Sequence, residues 1–470
     1  MEIARKDIIH NKESIKFPLS TLPIIALATA FFPRLLDVAG FPSPINFIHL
    51  VIVPLITSVM IFKEKSLHRT QARTIRGLGL VLLLFFTSAT VSAFLNEAGI
   101  INLILGFLLL AEPFFLFLAI ACIPITPGLT QNIEKWIIGF GLFHVAFAVF
   151  QKYVLRWDVC HCAPGGWGDG DAIKGVFLDQ GSGHVVSASV AVSLGIYYFF
   201  AMRHQPIWIR LLVFLAGLLN IVISQANQVA FVLMAAFAAL SLIKMKDIIK
   251  AIFYIILGIF IYFLFVWAIA NVPALSSFNT WIRPGLYGPD GEATQLKLSS
   301  IRIILEHMEN PLYWFFGLGP GHTVGRLGGW MLREYSHLLL PLGATVHPVP
   351  SLVWAGTGAS WLGSQSSFFS PFFGWAAVWG DFGLIGLSLY IYLYFILWKE
   401  FESDDLTHYL MLTIFVHGFI FTQMEEPGYM LYMFALLGLR WHRNKLRYSK
   451  ECVNHRFGHS VRTVSLLSKV

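Results

Sequence analysis

The chain is short of charge. Only 13% of its 470 residues are Asp, Glu, Lys or Arg, against 56% hydrophobic residues; soluble domains carry about 25% charged residues. A water-soluble globule cannot hide that much apolar surface. Cysteine is scarce too, and the four present make no secreted disulfide framework. Cys160 and Cys162 are one residue apart, a spacing at which a bond would be strained. With His161 and Asp158 they offer a metal-binding set, although ordinary loop residues are the preferred reading. Cys122 and Cys452 are remote and read as thiols on the cytoplasmic side. No phosphate-binding P-loop, no His-Glu-x-x-His zinc motif and no internal repeat stands out. Met1–Lys16 is polar and the first apolar stretch lacks a cleavage site, so no cleaved leader is expected.

What the chain has is hydrophobic length. Its mean hydropathy is +0.69, and runs such as Ile100–Ile123 and Ile252–Ala270 are continuous. Transmembrane β-strands would alternate over segments of about ten residues, so helices are expected. The reading is an all-α polytopic membrane protein with about twelve transmembrane helices. They fall near 17–36, 44–62, 77–95, 99–122, 136–155, 184–201, 207–223, 226–243, 249–270, 374–398, 406–423 and 427–440. Residues 1–270 form an N-terminal membrane region and residues 271–371 a large loop between helices nine and ten. Residues 372–440 form a C-terminal membrane region and residues 441–470 a basic tail.

Loop charges set the orientation. Lys63, Lys65, Arg69, Arg73 and Arg76 follow the second span; Arg203 and Arg210, then Lys244, Lys246 and Lys250, occupy later loops of the same parity. Arg440, Arg443, Lys445, Arg447 and Lys450 follow the last span. All fall on one side, which the positive-inside rule makes cytoplasmic, together with both termini. This bias also accounts for the isoelectric point near 9.1, so nucleic acid is not implied as a partner. The large loop then lies outside the cytoplasmic (inner) membrane.

That loop gathers the polar chemistry of the chain. It holds Arg283, Arg302, Arg326, Arg333, His307, His322, His337 and His347. Ser299 or Ser300 is expected to cap a helix, Arg302 and Glu306 to pair across one turn, and Asn310-Pro311 to end it. Gly317, Gly319 and Gly321 permit close backbone approach. Outside the loop, Glu112 lies near the middle of the fourth span, where a carboxyl group is costly and functional by default; pairing across helices is the alternative.

An Arg on a helix, a Pro and a Gly-x-Gly-x-Gly run in a large late loop resemble the O-antigen ligase and polymerase superfamily. A second match is Trp379-Gly380-Asp381-Phe382-Gly383-Leu384-Ile385-Gly386, similar to that family's acidic-x-Gly-x-x-Gly segment; a weaker one is Gly175-Val176-Phe177-Leu178. The resemblance implies transfer of a glycan from undecaprenyl pyrophosphate to an acceptor hydroxyl, in contact with membrane lipid and other polysaccharide assembly proteins. It implies no metal and no other cofactor. Arg302 matches the family's loop arginine and is expected to bind pyrophosphate, with Gly317, Gly319, Gly321, Arg326, Asp381 and Glu112 lining the substrate site. The base is expected among His347, His337 and His322. Two departures favour a polymerase over a ligase: Ser224–Gln228 lacks the family's Ser-Arg pair, and Gln365–Pro371 lacks its histidine. A secondary transporter or lipid-linked glycan flippase is the alternative, but it needs no hundred-residue loop.

Overall fold

The computed structural model describes residues 19–63, 69–160, 162–164, 170–178, 182–245, 248–273, 285–365, 369–402 and 404–467. Among these the regular structure is helical, with no strand. Seven helices are long and apolar enough to cross a bilayer: Ser43–Lys63, Arg69–Leu95, Ile100–Ala121, Pro127–Tyr153, Gly183–Ala201, Ile252–Asn271 and Gly374–Glu400. Shorter apolar helices lie at Leu22–Phe31, Ile207–Ile223 and Asn227–Ile243. The chain is an all-α, multi-pass membrane protein.

Burial separates the centre of the bundle from its rim. The first turns of helix Pro427–Leu467 are covered on every side: Tyr429, Met430, Leu431, Tyr432, Met433 and Phe434 are all 0% exposed. This helix packs on Leu22–Phe31, Ile100–Ala121, Pro127–Tyr153 and Gly183–Ala201. Ile248–Asn271 is the opposite case, with Phe253, Ile256, Phe260, Phe263 and Trp267 all exposed. Water would not tolerate that surface and lipid tails would.

The first expected span is not one helix. It divides into Leu22–Phe31 and Pro33–Val38, which meet at Phe32. Pro33 has no N–H to continue the ladder. The break places Arg34 at the mouth of the bundle, in ion-pair contact with Asp37 (3.7 Å). Asn46 Nδ2 donates to Asp37 Oδ2 (2.6 Å), which ties down this turn.

Between Asn271 and Gly374 the described chain makes short helices, chiefly Glu292–Glu306, Pro311–Phe316 and Pro348–Ala359. The helix starts at Glu292, so Ser299 and Ser300 sit inside it and do not cap it. Their hydroxyls bond the carbonyls of Leu296 and Phe372. Asn310 caps the following helix instead, its side chain accepting from Leu312 N (3.0 Å). Cys160 and Cys162 are joined, where ordinary loop residues are the preferred reading of the sequence. Their Cα atoms are 5.1 Å apart, inside the range a disulfide accepts.

Candidate functional site

The two glycine motifs meet. Helix Gly374–Glu400 is broken at Gly383, which has φ +65° and ψ −169°. A side chain there would strike the backbone of Phe315 and Phe316, so helix Pro311–Phe316 can dock on the break only because residue 383 is glycine. The break leaves carbonyl groups of the first half without helical donors. Leu318 N donates to Gly380 O (2.7 Å), Gly319 N to Asp381 O (3.2 Å) and Ser92 Oγ to Asp381 O (2.7 Å). Gly317, at φ +80°, lies against the Asp381 backbone, and its carbonyl accepts from Asn96 Nδ2 (3.0 Å).

The Asp381 carboxylate completes the lock. Oδ2 accepts from Gly321 N (2.8 Å); Oδ1 accepts from Thr323 N (2.8 Å) and Thr323 Oγ1 (2.6 Å). Asn102 fixes the far side, donating to the carbonyls of Pro320 and Thr345 (both 3.0 Å) and accepting from Thr345 N (2.8 Å). The Gly317–Gly321 run is therefore held by three membrane helices: Arg69–Leu95, Ile100–Ala121 and Gly374–Glu400. It is a fixed cradle and not a flexible turn.

From this cradle the chain runs directly into Arg326, which is 8% exposed. Arg326 N donates to Glu425 Oε2 (2.7 Å), and its guanidinium forms an ion pair with Glu426. The guanidinium carbon lies 4.9 Å from the Trp330 ring centroid, and that of Arg34, also 8% exposed, lies 5.8 Å from the same ring. Two cations thus approach one indole. Burial lowers the Arg326 pKa to about 9; the neighbouring Arg34 charge adds to this, while Glu425, Tyr335 and Glu112 oppose it. The two guanidiniums repel each other. An anion between them would relieve the repulsion.

Glu112 is paired across helices: His49 Nδ1 lies 2.8 Å from each carboxylate oxygen. The pair is buried and faces the Arg326 charge.

Three histidine rings gather on the other side of the cradle. His322 stacks on His347 with centroids 5.3 Å apart, and His307 meets His347 edge-on at 5.5 Å. His322 Nδ1 lies 2.8 Å from Leu318 O, so it carries the proton. Its Nε2 then accepts from Thr345 Oγ1 (2.9 Å), whose oxygen accepts from Gly99 N (3.1 Å). Burial lowers the pKa of His322 and takes that of His347 to about 4, where His322 and His307 contribute further. Both rings are neutral at pH 7. His347 Nδ1 accepts weakly from Val349 N (3.4 Å).

No family model matches the chain, and no curated protein matches it. The site therefore rests on its own geometry. Gly317, Gly319, Gly321, His322, Arg326 and Asp381 form one connected unit, with Glu112 and His347 at its borders. Arg302 stands apart: it is exposed and donates to Gln295 Oε1 (3.2 Å), not to Glu306. His337 is exposed as well. Arg34, Trp330, Glu425 and Glu426 join the site as well. Arg34 did carry a signal, because a cation inside an apolar stretch is functional by default. The weaker glycine match is structural: at φ +55°, Gly175 packs on the His144 ring, and Gln151 holds the turn through Lys174 N, Gly175 N and Gly175 O.

Proposed function

We propose that the protein transfers a glycan from a lipid-linked pyrophosphate carrier to an acceptor hydroxyl, as a metal-independent polymerase of surface polysaccharide. The observation that carries this is the approach of Arg34 and Arg326 to Trp330 beside a rigid glycine cradle. Two planar guanidiniums match the oxygens of a pyrophosphate, and the indole offers a face for a sugar ring. The carrier's lipid tail would leave the site between bundle helices. Its leaving pyrophosphate would gain negative charge as the glycosidic bond breaks, and preformed cations lower the barrier at that moment.

Twelve spans with both ends cytoplasmic would put this site on the outer face of the cytoplasmic membrane. The Cys160–Cys162 bond supports that orientation, since disulfides persist in oxidising compartments. With Arg69–Leu95, Ile100–Ala121 and Pro127–Tyr153 alternating across the bilayer, Cys160 would lie on the same face as the cradle.

The test is elongation of lipid-linked repeats by purified, reconstituted protein. Arg326→Ala and Arg34→Ala should each lower turnover by roughly 100-fold or more, with the protein still in the membrane. Arg302→Ala should cost less than either. Elongation that is unaffected by Arg326→Ala would remove the site assignment. Uptake of labelled substrate into vesicles, with no change in glycan length, would favour a transporter.

A further inference from the structure

We propose that Glu425 accepts the proton of the attacking hydroxyl and so acts as the general base; this rests on the glycan-transfer reading above. Glu425 ends the short turn Thr422–Glu425 and is 6% exposed. One carboxylate oxygen, Oε2, is fixed by Arg326 N at 2.7 Å. The other, Oε1, is buried and has no hydrogen-bond partner among the described residues. A buried polar atom is costly to leave without a partner, so a hydroxyl belongs there. The wall opposite is Gly325: a Cβ at that position would come within 2.9 Å of Oε2 and 3.1 Å of Oε1. Gly325 and the Ala377 side chain thus line this face of the carboxyl group, and a side chain at 325 would crowd it, one residue from the arginine assigned to the leaving group.

The ionisable groups facing Glu425 are Arg326 from the connecting segment, Asp381 and Tyr390 from helix Gly374–Glu400, and the adjacent Glu426. Burial raises the Glu425 pKa to about 8; the Asp381 charge adds to this and Arg326 opposes it. A carboxylate of that basicity takes a hydroxyl proton more readily than an ordinary one near neutral pH. The neighbouring histidines are less suited. Both ring nitrogens of His322 are engaged, and the low proton affinity of His347 makes it a weak base.

In the step, the acceptor O–H proton passes to Oε1 and the acceptor oxygen bonds the anomeric carbon. The bond from that carbon to the pyrophosphate oxygen breaks, and its electron pair leaves on the pyrophosphate held by Arg326 and Arg34. Glu425 then returns its proton to water.

The experiment is a pH–rate profile of elongation with reconstituted full-length protein and lipid-linked repeats. In the wild type the rate should rise with pH up to about 8. Glu425→Gln keeps an acceptor for Arg326 N and should lower kcat by roughly 100-fold or more, leave KM nearly unchanged and flatten the profile. Glu425→Asp should retain part of the rate and the rise with pH. A wild-type protein that elongates, with Glu425→Gln equally active and equally pH-dependent, overturns this proposal alone. Equal loss in both variants with no remaining pH dependence assigns Glu425 a structural role and overturns it too. A wild-type protein that elongates nothing overturns the transfer reading, and this proposal with it.

Discussion

Asp381 holds three donors with two oxygens, and all three belong to the connecting segment. Asp381→Ala would leave two buried N–H groups and one hydroxyl without acceptors. At about 1–3 kcal/mol for each stranded group, the expected loss is roughly 3 kcal/mol or more. The midpoint of thermal unfolding in detergent should drop accordingly, and Asp381→Asn, which keeps one acceptor oxygen, should drop less. No drop in Asp381→Ala would mean the cradle is held by the other contacts alone. At this scale the sequence was partly legible. Glycines spaced by two signalled close backbone approach, and the stretch around Asp381 stood out by its resemblance to a family motif. That the two stretches bind each other was not legible, because 60 residues separate Gly321 from Asp381 and no local pattern encodes the pairing. The two arginines assigned to the substrate could not be ranked for a related reason. Arg302 and Arg326 look alike in sequence, and only the fold buries one and exposes the other.

Helices carry the most legible information and the most instructive failure. Among the described residues, seven long apolar helices stand within the runs that length and hydropathy mark, because lipid demands about twenty apolar residues per crossing. The first stretch breaks because Pro33 and Arg34 interrupt it, and the break turns an apparent defect into a site wall. Across helices His49–Lys63 and Ile100–Ala121, the His49–Glu112 pair is a buried polar link, beside the bond from Thr57 Oγ1 to Phe115 O (2.8 Å). Removing one partner leaves the other's polar atoms buried without a partner, at about 1–3 kcal/mol for each stranded group. His49→Ala and Glu112→Ala should therefore each destabilise strongly. The double variant should cost less than their sum, with a coupling of about 1–3 kcal/mol. Additive unfolding midpoints in a double-mutant cycle would show that the two groups do not stabilise each other.

For the whole molecule, stability should depend on pH through groups that burial holds away from their ordinary values. Glu425 keeps its proton to about pH 8 in the folded chain, against 4.5 ordinarily. Between those values the folded state binds more protons than the unfolded one, so stability falls as pH rises and levels above the upper limit. His347 acts oppositely in its own window: from about 4 to 6.5 the unfolded state binds more protons, and stability rises with pH. Lys297, lowered to about 7 by burial, gives a further rise above that value. The difference between wild type and Glu425→Gln isolates the first contribution. It should show the variant gaining stability relative to wild type as pH increases through 4.5 to 8. A constant difference across that range would contradict a raised Glu425 pKa. None of this was legible from composition, since each shift comes from packing that joins distant segments.

Helix Pro427–Leu467 lies at the centre of the bundle, yet the ribosome makes it after every helix it packs against. The earlier helices must therefore enter the membrane around an empty axis and wait for it. Glu425 and Glu426 precede this helix directly, so Arg326 meets its carboxylates only when this helix arrives. The order of synthesis keeps the site incomplete until the bundle closes, and a nascent chain halted before Pro427 would present its unfilled interior to lipid and to quality-control proteases.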